Sequence, residues 1–252
     1  MSGAPNEEWL AAALARAQAA NAELEQFVYV VSHDLQAPVR GIANLATWLL
    51  EDHADAVGDP EARRLLDLLD VRVRNLSRMI EGLLRYSRAG SSDLEMGEVR
   101  PAEVVRRALA DIAVDGVVLD MQLADGATTT SARVLREAVE QLVDNAVRAA
   151  RQGGGHVRVA LALDAASIRL TVSDDGPGVA EHMRDRLFRV FETGEPASDR
   201  QRAGVGLAIL QKLAARVGGR VWFAPAAGQG STFSVEWPRG RPGDINTGEE
   251  HP

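Results

Sequence analysis

The feature that most constrains this chain is a 3.5-residue apolar repeat running through its first fifty residues. Stepping four then three, Leu10, Leu14, Ala17, Asn21, Leu24, Val28, Val31, Leu35, Pro38, Ile42, Leu45 and Leu49 trace one seam. Such a repeat makes a helix that packs along its length against another helix, as in a coiled coil. From about Asn6 to Glu51 the segment reads as a single helix, with no glycine before Gly41. At 1.5 Å per residue it would span roughly 65–70 Å, too long for an isolated globular helix. With Leu14 at heptad position a, His33 falls at f, on the outside of the helix beside Asp34. Pro38 cannot donate to the carbonyl of Asp34 and is expected to bend the helix one turn beyond the histidine. Asn21 lies on the seam, either as a register-setting polar residue or as a tolerated defect near a fraying end.

The segment His53 to Pro60, with Gly58 and Asp59, reads as a turn. A second helix follows from Glu61 to about Arg88, with a seam at Leu66, Leu69, Val73, Leu76, Ile80 and Leu83. Two antiparallel helices bury only one stripe each, so a hairpin with two apolar stripes is expected to dimerise into a four-helix bundle. The run Ala89-Gly90-Ser91-Ser92 reads as a linker, and beyond it the pattern changes class. Helical periodicity covers Pro101–Ala110, Ala132–Arg151 and Leu207–Val217. Strand-like runs cover Val117–Leu123, Val157–Leu163, Ile168–Ser173, Arg220–Phe223 and Thr232–Trp237. This predicts a mixed α/β domain of about 145 residues. The tail beyond Arg239, rich in Gly, Pro and charge, is expected to be disordered.

Composition narrows the function classes. A net charge of −8 over 252 residues argues against a general nucleic-acid binder. The absence of cysteine excludes disulfides and thiolate metal sites and fits a reducing cytoplasm. No apolar run reaches the eighteen or so residues that a membrane-spanning helix needs. The start, MSGAPNEEWL, lacks the order of a signal peptide. The expectation is a cytoplasmic protein without direct membrane insertion.

Four elements of the second half can carry chemistry. On the helix from Ala132, an apolar stripe of Leu135, Ala138, Val139, Leu142 and Ala146 opposes a polar row of Glu137, Gln141, Asn145 and Arg148. Such a row is either a solvated face or a site. Asparagine is a poor residue for a helix interior but a good neutral oxygen ligand for a hard cation such as Mg²⁺. Next, Asp174-Asp175-Gly176-Pro177-Gly178 follows a strand directly. Its glycines let a ligand approach the backbone, and an aspartate at a strand end can accept a hydrogen bond from an exocyclic amine. Third, Gly204-Val205-Gly206-Leu207 opens a helix, and free N–H groups at a helix start suit phosphate. It matches neither the dinucleotide fingerprint nor a P-loop. Between these glycine elements lies a polar stretch, Phe191 to Ala203, that reads as a mobile loop. Last, Gly228-Gln229-Gly230-Ser231-Thr232-Phe233 turns into the final strand.

In order and spacing, from roughly Asn21 to Pro238, these elements resemble the sensor histidine kinases of two-component signalling. Ser32-His33-Asp34-Leu35-Gln36-Ala37-Pro38 is similar to the H box of the phytochrome-type kinases. Gln141–Arg148 resembles the N box, Asp174–Gly178 the first G box and Leu187–Phe191 the F box. Gly204–Leu207 resembles the second G box and Gly228–Thr232 the last. The resemblance implies a dimeric helical hairpin joined to a Bergerat-type α/β sandwich that binds ATP with Mg²⁺. In domain terms it implies a coiled-coil extension over 1–20, dimerisation and phosphotransfer over 21–90, ATP binding over 91–240 and a tail over 241–252.

It also assigns roles. His33 would be the phosphoacceptor, with Asp34 as its polarising partner. Asn145 would hold Mg²⁺ and Asp174 the adenine amine. Arg148, Gly176, Gly178, Gly204, Gly206 and Leu207 would line the nucleotide site, and Thr232 would lie near the base. The expected partners are a second copy of the chain, the receiver domain of a response regulator, and a sensor that is either a separate protein or a missing domain; a stand-alone kinase core is favoured. Gln141 and Arg148 stand where many relatives carry Asn and Lys, which preserves polar or positive character. Ala37 stands where many carry Thr or Asn to position a hydrolytic water, so weak phosphatase activity is expected. Two other readings compete: a phosphotransfer scaffold with an inactive ATP domain, and a different Bergerat-type ATPase, which would leave the exposed His-Asp pair unexplained.

Overall fold

The protein is described from a computed structural model. It covers residues 28–49 apart from 30, 34, 38 and 48, and residues 60–91, 93–192, 204–226 and 228–240. The expectations for Asn21, Asp34, the bend at Pro38, the turn before Pro60 and the disorder after Arg239 fall wholly or mainly outside these residues. The chain divides into two compact units, one containing both long helices and the other the sheet.

In the first unit the described residues of 28–49 are helical (α1), and α2 runs over Pro60–Ser91. Their shared core contains Val39, Val73 and Ile80, with Ala43 packed against it. Val39, Ala43 and the buried Ala46 lie beside the seam rather than on it. The seam itself remains open: Leu35, Ile42 and Leu45 are 47%, 46% and 60% exposed, and Leu69 and Leu76 of α2 are exposed as well. On α1 the smaller Val39 and Ala43 therefore meet α2, while most of the large apolar stripe of α1 is unburied. Full burial of a leucine-sized side chain is worth roughly 1.5–3 kcal/mol, and these half-exposed residues leave about half of that unused.

The second unit holds a five-stranded sheet in the order β2-β4-β5-β7-β6 and a two-stranded sheet of β1 and β3. The strands are β1 Gly97–Val99, β2 Val118–Leu123, β3 Thr128–Thr130, β4 His156–Leu163, β5 Ser167–Asp174, β6 Arg220–Pro225 and β7 Ser231–Pro238. Among the described residues, β2 and β4 pair in parallel and the other pairings are antiparallel. The helices are α3 Pro101–Ala110, α4 Ala132–Ala150, α5 Glu181–Arg184 and α6 Gly206–Arg216.

Alternation sorts the sheet into two faces. Val157, Val159 and Leu161 of β4, Ile168, Leu170 and Val172 of β5, and Phe233, Val235 and Trp237 of β7 are all buried. They share the face that α4 packs against, with α3 and α6 flanking α4. The opposite face is polar. Ser173 and Thr232 hydroxyls lie 2.9 Å apart, Thr171 and Ser234 3.1 Å, and Glu236 accepts hydrogen bonds from Arg169, Arg220 and Ser167. Trp237 Nε1 donates to Thr130 Oγ1 at 2.8 Å, fastening the small sheet to the large one.

In the second unit the expected helices and long strands are present to within one or two residues, whereas in the first α2 runs on to Ser91 and takes Ala89, Gly90 and Ser91 of the expected linker into the helix. Three elements have no counterpart in the sequence reading: β1, β3 and α5. Each is only three or four residues long, too short to show a period, and β1 and β3 exist by pairing with each other. The buried face of α4 is also wider than the expected stripe. Val134, Val143, Val147 and Ala150 are buried too, because the helix is covered by the sheet and by two other helices.

Candidate functional site

On α1, His33 is exposed and Ser32 buried, as expected for a histidine outside the helix–helix seam. The Tyr29 ring, one turn earlier, stacks on the imidazole with centroids 6.5 Å apart and planes 21° from parallel. Arg88 of α2 lies over the other end of this arrangement, its guanidinium carbon 5.5 Å from the Tyr29 centroid. Ala37 is exposed and helical.

In the second unit, Asp174 is the last residue of β5, where it extends the inward row of Ile168, Leu170 and Val172. It is 6% exposed, and burial raises its carboxyl above the ordinary carboxylate range. Backbone N–H groups of Gly176 and Ser231 oppose the shift, and the charge of Asp175 adds slightly to it. The Gly176 N–H donates to Asp174 Oδ1 at 3.0 Å, closing a turn. Asp175 points elsewhere: its Oδ1 accepts from the His156 N–H at 2.9 Å.

Glycine packs this turn against its neighbours. A Cβ on Gly176 would stand 2.6 Å from the Ala149 carbonyl at the end of α4. A Cβ on Gly230 would stand 1.9 Å from the Asp174 carbonyl oxygen, and Gly230 itself has φ +114°. Gly178, at φ +77°, faces the Gly230 carbonyl. Gly153 and Gly154, which follow α4, have no room for a Cβ beside Asp175. The first and last glycine turns are thus one packed structure around Asp174, with α4 as its floor.

On α4, the Gln141 amide donates to Glu137 at 2.8 Å, and Arg148 reaches Asn145 Oδ1 at 3.3 Å and Asp144 at 3.7 Å. Asn145 and Arg148 are half-buried, and Gln141 is buried. Gly206 opens α6 against Gln141, whose amide oxygen would lie 1.9 Å from an added Cβ. Gly204 adopts φ +66° just before it, and Leu207 is half-buried in the first turn of α6. The loop expected over Phe191 to Ala203 lies mostly outside the described residues. Phe191 at its start has φ +67°, the one non-glycine residue with positive φ among those described.

The structure therefore brings Asp174, Gly176 and Gly178 together beside the end of α4, with Asn145 and Arg148 on that helix and Gly206 packed on its Gln141. It does not bring Thr232 to them. Asp174 pairs directly with Ser231, so these two side chains share the inward face. Thr232 pairs with Ser173 and points to the opposite face, where their hydroxyls meet. The hydroxyl beside Asp174 is that of Ser231, buried at 3%. The sequence reading placed Gly230 and Ser231 in the last glycine turn but gave the site role there to Thr232, and it missed the Gly153–Gly155 run. Counting two residues per repeat back from Trp237 along β7 would have found Ser231.

The donor set fits a hard cation only in company with a ligand. Among the described residues no group of three or more His, Cys, Asp or Glu side chains could hold a metal. Mg²⁺ commonly takes one or two protein oxygens and completes its shell with phosphates and water. Asn145 Oδ1, half-buried and accepting from Arg148 at 3.3 Å, could serve as such an oxygen.

Two family models match: "Histidine kinase-, DNA gyrase B-, and HSP90-like ATPase" over residues 130–241 and "His Kinase A (phospho-acceptor) domain" over 23–92. Cyanobacterial phytochrome B of Nostoc sp. is 30% identical over 220 residues, 84% of this chain and 29% of that protein. Sensor histidine kinase AruS of Pseudomonas aeruginosa is 32% identical over 241 residues, 88% of this chain and 23% of its own length. The chain thus spans less than a third of these two relatives. Among solved structures, full-length ShkA in complex with AMPPNP superposes with a TM-score of 0.60 at 24% identity, covering 86% of this chain and 46% of that one.

Proposed function

This chain belongs to the sensor histidine kinases of two-component signalling, with a GHKL-type ATP-binding domain, and from that premise we propose that it autophosphorylates His33 from ATP and passes the phosphoryl group to an aspartate of a response-regulator receiver domain. The observation that carries the reading is the pairing, in one chain, of an exposed His33 with a buried, glycine-enclosed Asp174 at a strand end.

His33 supplies the nucleophile. A neutral ring nitrogen forms the bond to the γ-phosphorus as the bond to the β-phosphate oxygen breaks. Asp34, next in sequence, accepts a hydrogen bond from the N–H of the other ring nitrogen and so holds the tautomer. Asp174 accepts from the adenine amine, and Ser231 replaces Thr232 as the hydroxyl beside it. Gly204, Gly206 and Leu207 offer backbone N–H groups to phosphate, Arg148 offers a positive charge, and Asn145 offers an oxygen to the metal. Mg²⁺, when bound, neutralises phosphate charge; the protein supplies alignment, which is most of what phosphoryl transfer requires. The unburied seam of α1 supports a homodimer built on Leu35, Ile42 and Leu45.

Incubation with γ-labelled ATP and Mg²⁺ is expected to give protein-bound label that is acid-labile and base-stable. His33→Ala and Asn145→Ala should each abolish it. Label persisting in His33→Ala would overturn the reading, and normal labelling in Asn145→Ala would remove the metal role from that residue.

A further inference from the structure

An exposed histidine on a helix turns freely about two side-chain bonds, yet a phosphoacceptor must present one nitrogen along a defined line. Misplacement by an ångström can cost as much as a hundredfold in rate. Asp34, adjacent in sequence, can fix the tautomer through one nitrogen, but a single hydrogen bond leaves the ring plane free to swing. A ring stacked on the imidazole restricts that swing. Tyr29 lies four residues before His33, on the same helix face, and its ring is nearly parallel to the imidazole at 6.5 Å, within the range of offset aromatic stacking. Tyr29 is itself gripped from the other helix: the Arg88 guanidinium lies 5.5 Å from its ring centroid, inside the range of a cation–π contact. Arg88 is in the last turn of α2, so the contact reaches from one helix to the other. Resting on the kinase reading above, we propose that Tyr29 and Arg88 are positioning residues that set the plane of the His33 imidazole, and that through them the placement of α2 sets how readily His33 reacts.

The chemistry explains the choice of side chains. Stacking constrains the ring plane without occupying either nitrogen. A guanidinium holds the tyrosine by its face, which leaves the phenol to slide with the helix while the plane is kept.

The test separates this inference from the reading beneath it. In the full chain, Tyr29→Leu is expected to lower the maximal autophosphorylation rate about tenfold with the KM for ATP unchanged. Tyr29→Phe, which keeps the ring, should restore most of the rate. Arg88→Ala should lower it several-fold, and Arg88→Ala added to Tyr29→Leu should cost nothing further, because the arginine acts through the ring. By NMR, the ring-current shift of the His33 ring protons should vanish in Tyr29→Leu, persist in Tyr29→Phe and shrink in Arg88→Ala, whether or not the protein is active. A wild-type chain that takes no label defeats the kinase reading alone. An active wild type whose rate is unaffected by Tyr29→Leu, or a His33 shift that survives it, overturns the inference. If Tyr29→Leu fails to fold by circular dichroism, Arg88→Ala decides, and an unchanged rate and shift there refute the proposal.

Discussion

Asp174 carries two opposed demands. Its place in the row of Ile168, Leu170 and Val172 removes it from water, which raises its carboxyl pKa, while the proposed hydrogen bond from adenine is strongest to the ionised form. A folded-state pKa raised above the unfolded value means that the folded protein holds this proton more tightly. The stability tied to Asp174 is therefore greatest at low pH and falls as pH rises through the raised value. Asp174→Asn is expected to keep or gain stability at neutral pH and to lose nucleotide affinity, as calorimetric titration would show. Nucleotide affinity of the unsubstituted protein should begin to fall, on acidification, at a higher pH than an ordinary carboxylate would give. Nucleotide binding by Asp174→Asn equal to that of the parent would remove Asp174 from the site. The glycines divide by what they face. Gly176→Ala drives a methyl group into the α4 backbone and is expected to cost about 2–4 kcal/mol. Gly206→Ala meets only the end of the Gln141 side chain, which can turn away, and should cost less than half as much in a denaturant titration.

At the scale of elements, α1 shows how far a heptad reading reaches. The 3.5-residue spacing of Val31, Leu35, Ile42 and Leu45 identifies a packing seam and places His33 outside it, because both follow from one local period. Which helix covers the seam does not follow. Within the chain, Val39 and Ala43 pack with Val73 and Ile80 of α2, leaving the seam uncovered. Size-exclusion chromatography with light scattering is expected to give a dimer, and Ile42→Asp with Leu45→Asp a species of half the mass. An unchanged mass in that variant would sink the assignment of this face to the dimer. Ala37 shares this helix with His33. Ala37→Thr supplies the missing hydroxyl, so it should speed loss of phosphate from the cognate phospho-regulator, and an unaltered rate would remove Ala37 as the cause of weak phosphatase activity. Among the strands, β4, β5 and β7 are legible as eight-residue elements of alternating or apolar character, whereas β1 and β3 are three residues each and become strands only in each other's company.

For the whole molecule, the order of the elements is the most legible property of the chain. The sequence alone identifies a helical segment carrying an exposed His33, then an α/β segment with an asparagine-bearing helix, an aspartate at a strand end and glycine turns in fixed succession. All of these are local: periods of 3.5 and 2, a glycine where the chain must turn, a polar residue at a known offset. The tertiary structure alone decided which groups face one another. It set Ser231 rather than Thr232 beside Asp174, since a strand's two faces differ by one residue and long-range pairing with β5 chooses between them. It joined the first and last glycine turns, more than fifty residues apart, by the approach of Gly230 to the Asp174 carbonyl. It also carried Arg88 from the end of α2 onto Tyr29. Register and helix rotation are fixed by burying whole apolar faces at once, so no short stretch of sequence contains them.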